Sequence, residues 1–220
     1  MTEMLTTLEE RIHIKHTALI VVDMQNDFVH DDGVFAKMGV NLSMFKKIVP
    51  QLNRLIDAAR NVKVPVIFIQ TLHSRWTNSA PWVQRIKGQG EGQESLLPPV
   101  CSPGTWGADW FGVKPTEEDY VVTKHRYSAF VNTDLDLVLR SLQRKTVVVT
   151  GGETNVCLGS TARSAFMYDY YVILPEDCIA GFDEELHRYG LKILEQYFGM
   201  LTTSQKIISI WNRQMGSGLT

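Results

Sequence analysis

Short, mostly apolar runs punctuate the chain. Ala18–Val22 (ALIVV), Val64–Gln70 (VPVIFIQ), Asp119–Thr123 (DYVVT), Thr146–Thr150 (TVVVT), Tyr171–Leu174 (YVIL) and Gly199–Thr202 (GMLT) each read as a strand. Longer stretches with helical spacing lie between them. In Ser43–Arg60, apolar residues recur at Ile48, Leu52, Leu55, Ile56 and Ala59, with Ser43 as a candidate cap and Pro50 to be accommodated. Thr133–Leu142, Asn155–Tyr168, Glu184–Phe198 and Thr203–Arg213 read as helices in the same way. Strands without alternation, each followed by a helix, are the pattern of a parallel sheet buried on both faces. The pattern predicts a doubly wound α/β fold: one domain over residues 1–220, with a mostly parallel six-stranded sheet and helices on both faces.

The segment His73–Pro115 breaks this rhythm. It holds GQGEGQ, the pair Pro98–Pro99, and Trp76, Trp82, Trp106 and Trp110. Tryptophans mark packing rather than disorder. The segment is therefore expected to be an ordered excursion over the active-site edge or a subunit interface.

Composition narrows the classes. Hydrophobic residues make up 44% and charged residues 21%, ordinary for a globular chain, and the net charge of −2 gives no reason to expect nucleic acid or an anionic membrane as partner. The N-terminus, MTEMLTTLEERIHIKH, has no apolar core of a secretory signal, and no apolar run approaches the ~20 residues that span a bilayer. Cys101, Cys157 and Cys178 are odd in number and widely spaced, which argues against a disulfide framework and against a zinc site. The expectation is a reduced, cytoplasmic protein with no metal and no cofactor.

In doubly wound folds, ligands bind outside the carboxyl ends of the strands. Asp23 follows ALIVV, Lys124 follows YVVT, and Cys157 comes shortly after TVVVT at the start of a helix. A thiol attacks as thiolate, which the helix start and a nearby ammonium both favour. A carboxylate in reach can take the thiol proton and return it to a departing amine. The loop Gly151–Cys157 can present backbone N–H groups to an oxyanion. Taken singly, such an Asp more often caps a turn, such a Lys faces solvent, and such a Cys packs in the core. The shared sheet edge makes the three worth considering together.

The local sequences ALIVVDMQNDF (18–28), KHRYSAFVNTDLDLVLRS (124–141) and TGGETNVCLGSTARSAF (150–166) resemble the signature segments of the isochorismatase-like cysteine hydrolases. This family includes nicotinamidases, N-carbamoylsarcosine and ureidoacrylate amidohydrolases, and biuret and triuret hydrolases. The resemblance implies a catalytic triad of Asp23, Lys124 and Cys157. It implies a cis peptide between Gly152 and Glu153, with the N–H groups of Glu153 and Cys157 as the oxyanion hole. It also implies a homo-oligomer, tetramer or dimer. The Glu153 side chain either turns away into structural hydrogen bonds or helps read substrate amides.

Within the family, isochorismatases proper lack the nucleophilic cysteine, and nicotinamidases carry a metal site for which this chain offers only His73 after its second strand. The stretches RYSAFVNTDLD, TNVC and Phe198-Gly199 are most similar to the ureidoacrylate, biuret or triuret type. The expected activity is hydrolysis of a linear C–N amide bond in a small ureido or carbamoyl compound through a Cys157 thioester, releasing ammonia or a small amine. The alternatives are an N-carbamoyl amino acid amidohydrolase and a non-catalytic binding relative. Candidate substrate-binding residues are Asn26, Phe28, Phe35, Asn41, Trp76, Tyr127 and Thr154. Arg126 is a candidate to pair with a substrate carboxylate or, in a structural role, with a neighbouring subunit.

Overall fold

In the computed structural model, which describes residues 4–84 and 99–217, six strands form one parallel path. They are β1 (Thr17–Val22), β2 (Val66–Thr71), β3 (Tyr120–Lys124), β4 (Thr146–Gly152), β5 (Tyr171–Pro175) and, after a short β6 (Ile179–Ala180), β7 (Met200–Thr202). The order is β3-β2-β1-β4-β5-β7, with β6 paired to the end of β4. The described strands thus number seven where the sequence pattern predicts six. Two residues carry no period, so β6 leaves no signal of its own.

The helices are α1 (Leu8–Arg11), α2 (Asn26–Val29), α3 (Val34–Lys37), α4 (Ser43–Asn61), α5 (Ala80–Gln84), α6 (Leu135–Ser141), α7 (Cys157–Met167), α8 (Glu184–Tyr197) and α9 (Ser204–Gly216). α4 runs through Pro50 and buries Phe45, Ile48, Leu52, Leu55, Ile56 and Ala59. The two faces of the sheet hold separate cores. Leu19 and Val21 of β1 join the core under α4 and α9, whereas Ala18, Ile20 and Val22 join the one under α6, α7 and α8. The period of two along a strand sends neighbours to opposite faces. Because both faces are covered, every residue of β1 is buried.

The chain moves outward from β1 through β2 to β3, then returns to β4 on the other side of β1. The order therefore reverses between β1 and β4, where doubly wound folds open a crevice at the strand ends. A polar turn after β1 fixes what lies above that crevice. The Gln25 side chain bonds the backbone of Thr71 through both its oxygen and its nitrogen, and its nitrogen also reaches Ala108 O. Asn26 Nδ2 donates to Trp106 O, and the buried Asp27 carboxylate accepts from the Cys101 N–H at 2.6 Å. Three consecutive side chains thus pin residues 101–108 to the sheet edge. No helix among the described residues is long and apolar enough to cross a membrane.

Candidate active site

Asp23 leaves β1 with φ of 53°, a left-handed conformation that costs energy in a residue with a Cβ and recurs at functional sites. Its carboxylate is buried and accepts a hydrogen bond from Thr71 Oγ1 at 2.8 Å. Lys124, 1% exposed, comes from β3, two strands away. That separation is about 10 Å of sheet, which a lysine stem can cross. The stem passes the end of β2, where Thr71 is the register partner of Lys124. Its ammonium lies 2.8 Å from Asp23 Oδ2, 3.2 Å from Cys157 Sγ and 3.1 Å from Arg126 O. These contacts use its three donors.

The approach to Cys157 is set by two glycines. Gly151 has φ of 93°, and a Cβ there would lie 2.2 Å from Val22 O on the adjacent strand. A Cβ on Gly152 would lie 2.3 Å from the Phe45 ring. The following peptide, Gly152–Glu153, is cis. Thr154 is tied down by its N–H and Oγ1, both bonded to Ala180 O, with His187 Nδ1 2.7 Å from the same hydroxyl. The Glu153 carbonyl accepts from Val156 and Leu158. Among the described residues, the N–H groups of Glu153 and Cys157 have no acceptor.

Cys157 opens α7 and is half-buried and unpaired. Burial pushes its thiol above the ordinary cysteine range; the Asp23 carboxylate adds to this and Lys124 opposes it. The ammonium thus acts in the expected direction, while burial and the carboxylate act against it. For Lys124, burial works against the charge, but Asp23 and Cys157 hold the ammonium above its ordinary value. Cys101 and Cys178 are buried and pushed upward, Cys178 to about 12, and neither lines the cleft.

The three side chains lie in one cleft of about 660 Å³. Phe28, Phe35 and Tyr127 line it, and the two phenylalanines meet edge to face at 5.1 Å between centroids. The other four candidate binding residues lie elsewhere. Asn26 Nδ2 and the Thr154 hydroxyl are engaged in the bonds described above. Asn41 accepts from Ser43 N–H ahead of α4. Trp76 is 81% exposed, with the Arg75 guanidinium 4.4 Å from its ring. Arg126 donates to the carbonyls of Thr77 and His125 and lies 5.1 Å from the Trp82 ring.

Several lining residues escaped the sequence reading: Thr71, Arg75, Trp82, Phe45 and Phe182. Thr71 ends a strand, so the rule that found Asp23 applies to it equally. Trp82 sits on α5, with its ring 4.7 Å from Tyr127 and 5.6 Å from His73. Among the described residues, no group of three or more His, Cys, Asp or Glu side chains is placed to hold a metal ion.

Fold and site together define a hydrolase with a buried carboxylate, ammonium and thiol at a sheet crevice. Residues 17–206 match the isochorismatase domain, and the chain belongs to that family. It is 29% identical over 220 aligned residues to the ureidoacrylate amidohydrolase of Acinetobacter baylyi, covering 91% of this chain and 86% of that one. A cysteine hydrolase structure from Pseudomonas syringae superposes with a TM-score of 0.76 at 28% identity, covering 97% of this chain and 99% of that one. An N-carbamoylsarcosine amidase from Thermoplasma acidophilum gives 0.68 at 27%, covering 86% and 96%.

Proposed function

We propose that the protein hydrolyses a linear amide bond in a small ureido or carbamoyl compound. The observation that carries this reading is the contact chain Thr71–Asp23–Lys124–Cys157 in the cleft. Asp23 takes the thiol proton as Sγ attacks the carbonyl carbon. The N–H groups of Glu153 and Cys157 receive the negative oxygen. The tetrahedral adduct collapses to a thioester as Asp23 protonates the leaving nitrogen, which departs as ammonia or a small amine. Asp23 then deprotonates a water that attacks the thioester and frees the thiol. Lys124, 2.8 Å from the Asp23 carboxylate, offsets its charge whenever the proton is elsewhere.

The names of the relatives support the ureido and carbamoyl classes. The cleft also presents Arg75, an exposed guanidinium suited to a substrate carboxylate. This favours a ureidoacrylate or N-carbamoyl amino acid over neutral biuret or triuret as the leaving side. A homo-oligomer in a reducing cytoplasm fits the exposed apolar positions Leu186, Tyr189, Ile193 and Tyr197 along α8 and the free thiols. Ammonia release should be measured on ureidoacrylate, biuret, triuret and N-carbamoyl amino acids, with mass spectrometry of a quenched reaction. Turnover of at least one, an acyl adduct on Cys157, and loss of at least about 10⁴-fold in Cys157→Ala are expected. Near-normal turnover in Cys157→Ala would overturn the mechanism.

A further inference from the structure

We propose that the Glu153 side chain is a specificity-determining residue that accepts a hydrogen bond from the N–H beside the scissile carbonyl, and so selects carbamoyl groups over ordinary carboxamides. This rests on the amide-hydrolase reading above. The sequence left two roles open for Glu153, a structural one and a reading one. The structure gives the carboxyl no structural partner: among the described residues it makes no hydrogen bond and no ion pair. It is half-buried and lines the cleft next to Gly152 and Cys157. Its oxygens keep access to the cleft, so a ligand N–H entering there can replace water as their partner.

The surroundings say which ligand group fits. Phe35, Phe45 and Phe182 form an apolar wall in the same cleft, with Phe45 and Phe182 stacked at 4.7 Å. Burial first, and then the neighbouring Asp183 carboxylate, raise the Glu153 pKa. A second anion beside Glu153 is therefore disfavoured, whereas a neutral or cationic N–H is welcomed. A carbamoyl acyl group presents a carbonyl oxygen and an adjacent N–H on one rigid plane. The backbone N–H of Glu153 takes the oxygen and its carboxylate takes the N–H, so one residue reads both. An alkyl carboxamide such as butyramide offers the oxygen and the N–H of its leaving amide, but no N–H on the acyl side. A substrate carboxylate belongs on the leaving side, toward Arg75.

The test is protection of Cys157 from iodoacetamide by biuret and by butyramide, which reports affinity without requiring turnover. The wild type should be protected by biuret at lower concentration than by butyramide. In Glu153→Ala and the longer apolar Glu153→Met, the biuret-to-butyramide preference should fall about tenfold, the worth of one charge-assisted hydrogen bond. Glu153→Gln, which keeps an acceptor oxygen, should recover part of it. An unchanged preference in Ala and Met, or a wild type that biuret does not protect, overturns the proposal. The turnover panel above judges the parent reading separately. Wild-type turnover of ureido compounds with unchanged preference in the variants sinks only the role of Glu153.

Discussion

The triad and the roof above it are built by different means. Asp23, Lys124 and Cys157 stand at the ends of β1 and β3 and at the first residue after the β4 loop, so the sheet itself brings them together. The roof, residues 73–84 and 99–115, has little regular structure and is held by side-chain bonds from Gln25, Asn26 and Asp27. Hydrogen-bond ladders position the chemistry to within contact distance. Individual polar side chains position the walls that meet the substrate. The contrast predicts that damage to the edge destroys rate, and damage to the roof alters stability or affinity.

The largest effect should come from Lys124→Met. The substitution keeps the length of the stem and removes the charge that pairs with the buried Asp23 carboxylate at 2.8 Å. Leaving a buried charge without its partner costs about 3–5 kcal/mol. Turnover should fall about 10²–10⁴-fold, because the carboxylate loses the ammonium that positions it and balances its charge. Cys157 alkylation at neutral pH should slow as well. The thiol is already pushed up by burial and Asp23, and Lys124 is the group opposing this. Denaturant melts together with iodoacetamide kinetics check both halves. A stable variant with normal alkylation would show that the sheet edge does not depend on this pair.

The same contrast explains what was legible in the sequence. The apolar run before Asp23 is a strong signal, because burial of β1 on both faces removes alternation and makes the strand end obvious, whereas β3 before Lys124 is a mostly exposed edge strand with a weaker one. The fold class, the five longer helices and the strand ends followed. Within the roof the signal failed. Trp76 is a substrate candidate by sequence, yet it lies outside while Trp82 lines the cleft, and the candidate Asn26 is an anchor of the roof through Trp106 O. Nothing local distinguishes these tryptophans, since their placement depends on anchors such as Gln25 and Arg126 that are distant in sequence. The GQGEGQ stretch lies outside the described residues.

Gly107→Ala should give an intermediate effect of a different kind. A Cβ there would lie 2.1 Å from the Asp27 carboxylate, which cannot retreat without releasing the Cys101 N–H. Overpacking of this sort costs about 1–3 kcal/mol. Thermal melts should show that loss. The kcat of the folded fraction should stay within a factor of about two, because no triad atom moves. A large drop in kcat with stability unchanged would mean that roof and triad are coupled, and the division drawn here would fail.

The smallest and most discriminating effect lies within the roof. Trp82 packs at 4.7 Å from Tyr127 over the cleft, and Trp76 points away from it. Truncating an aromatic wall is worth about 0.5–1.5 kcal/mol beyond its area, or about two- to tenfold in affinity. Trp82→Ala should therefore raise KM about two- to tenfold while kcat changes less, since the wall contacts ground state and transition state alike. Trp76→Ala should leave both parameters unchanged, because its ring is 81% exposed beside Arg75. The reverse result, a KM effect at Trp76 and none at Trp82, would mean that the substrate enters across the outer face of the roof. Arg75 would then act with Trp76 as one binding surface.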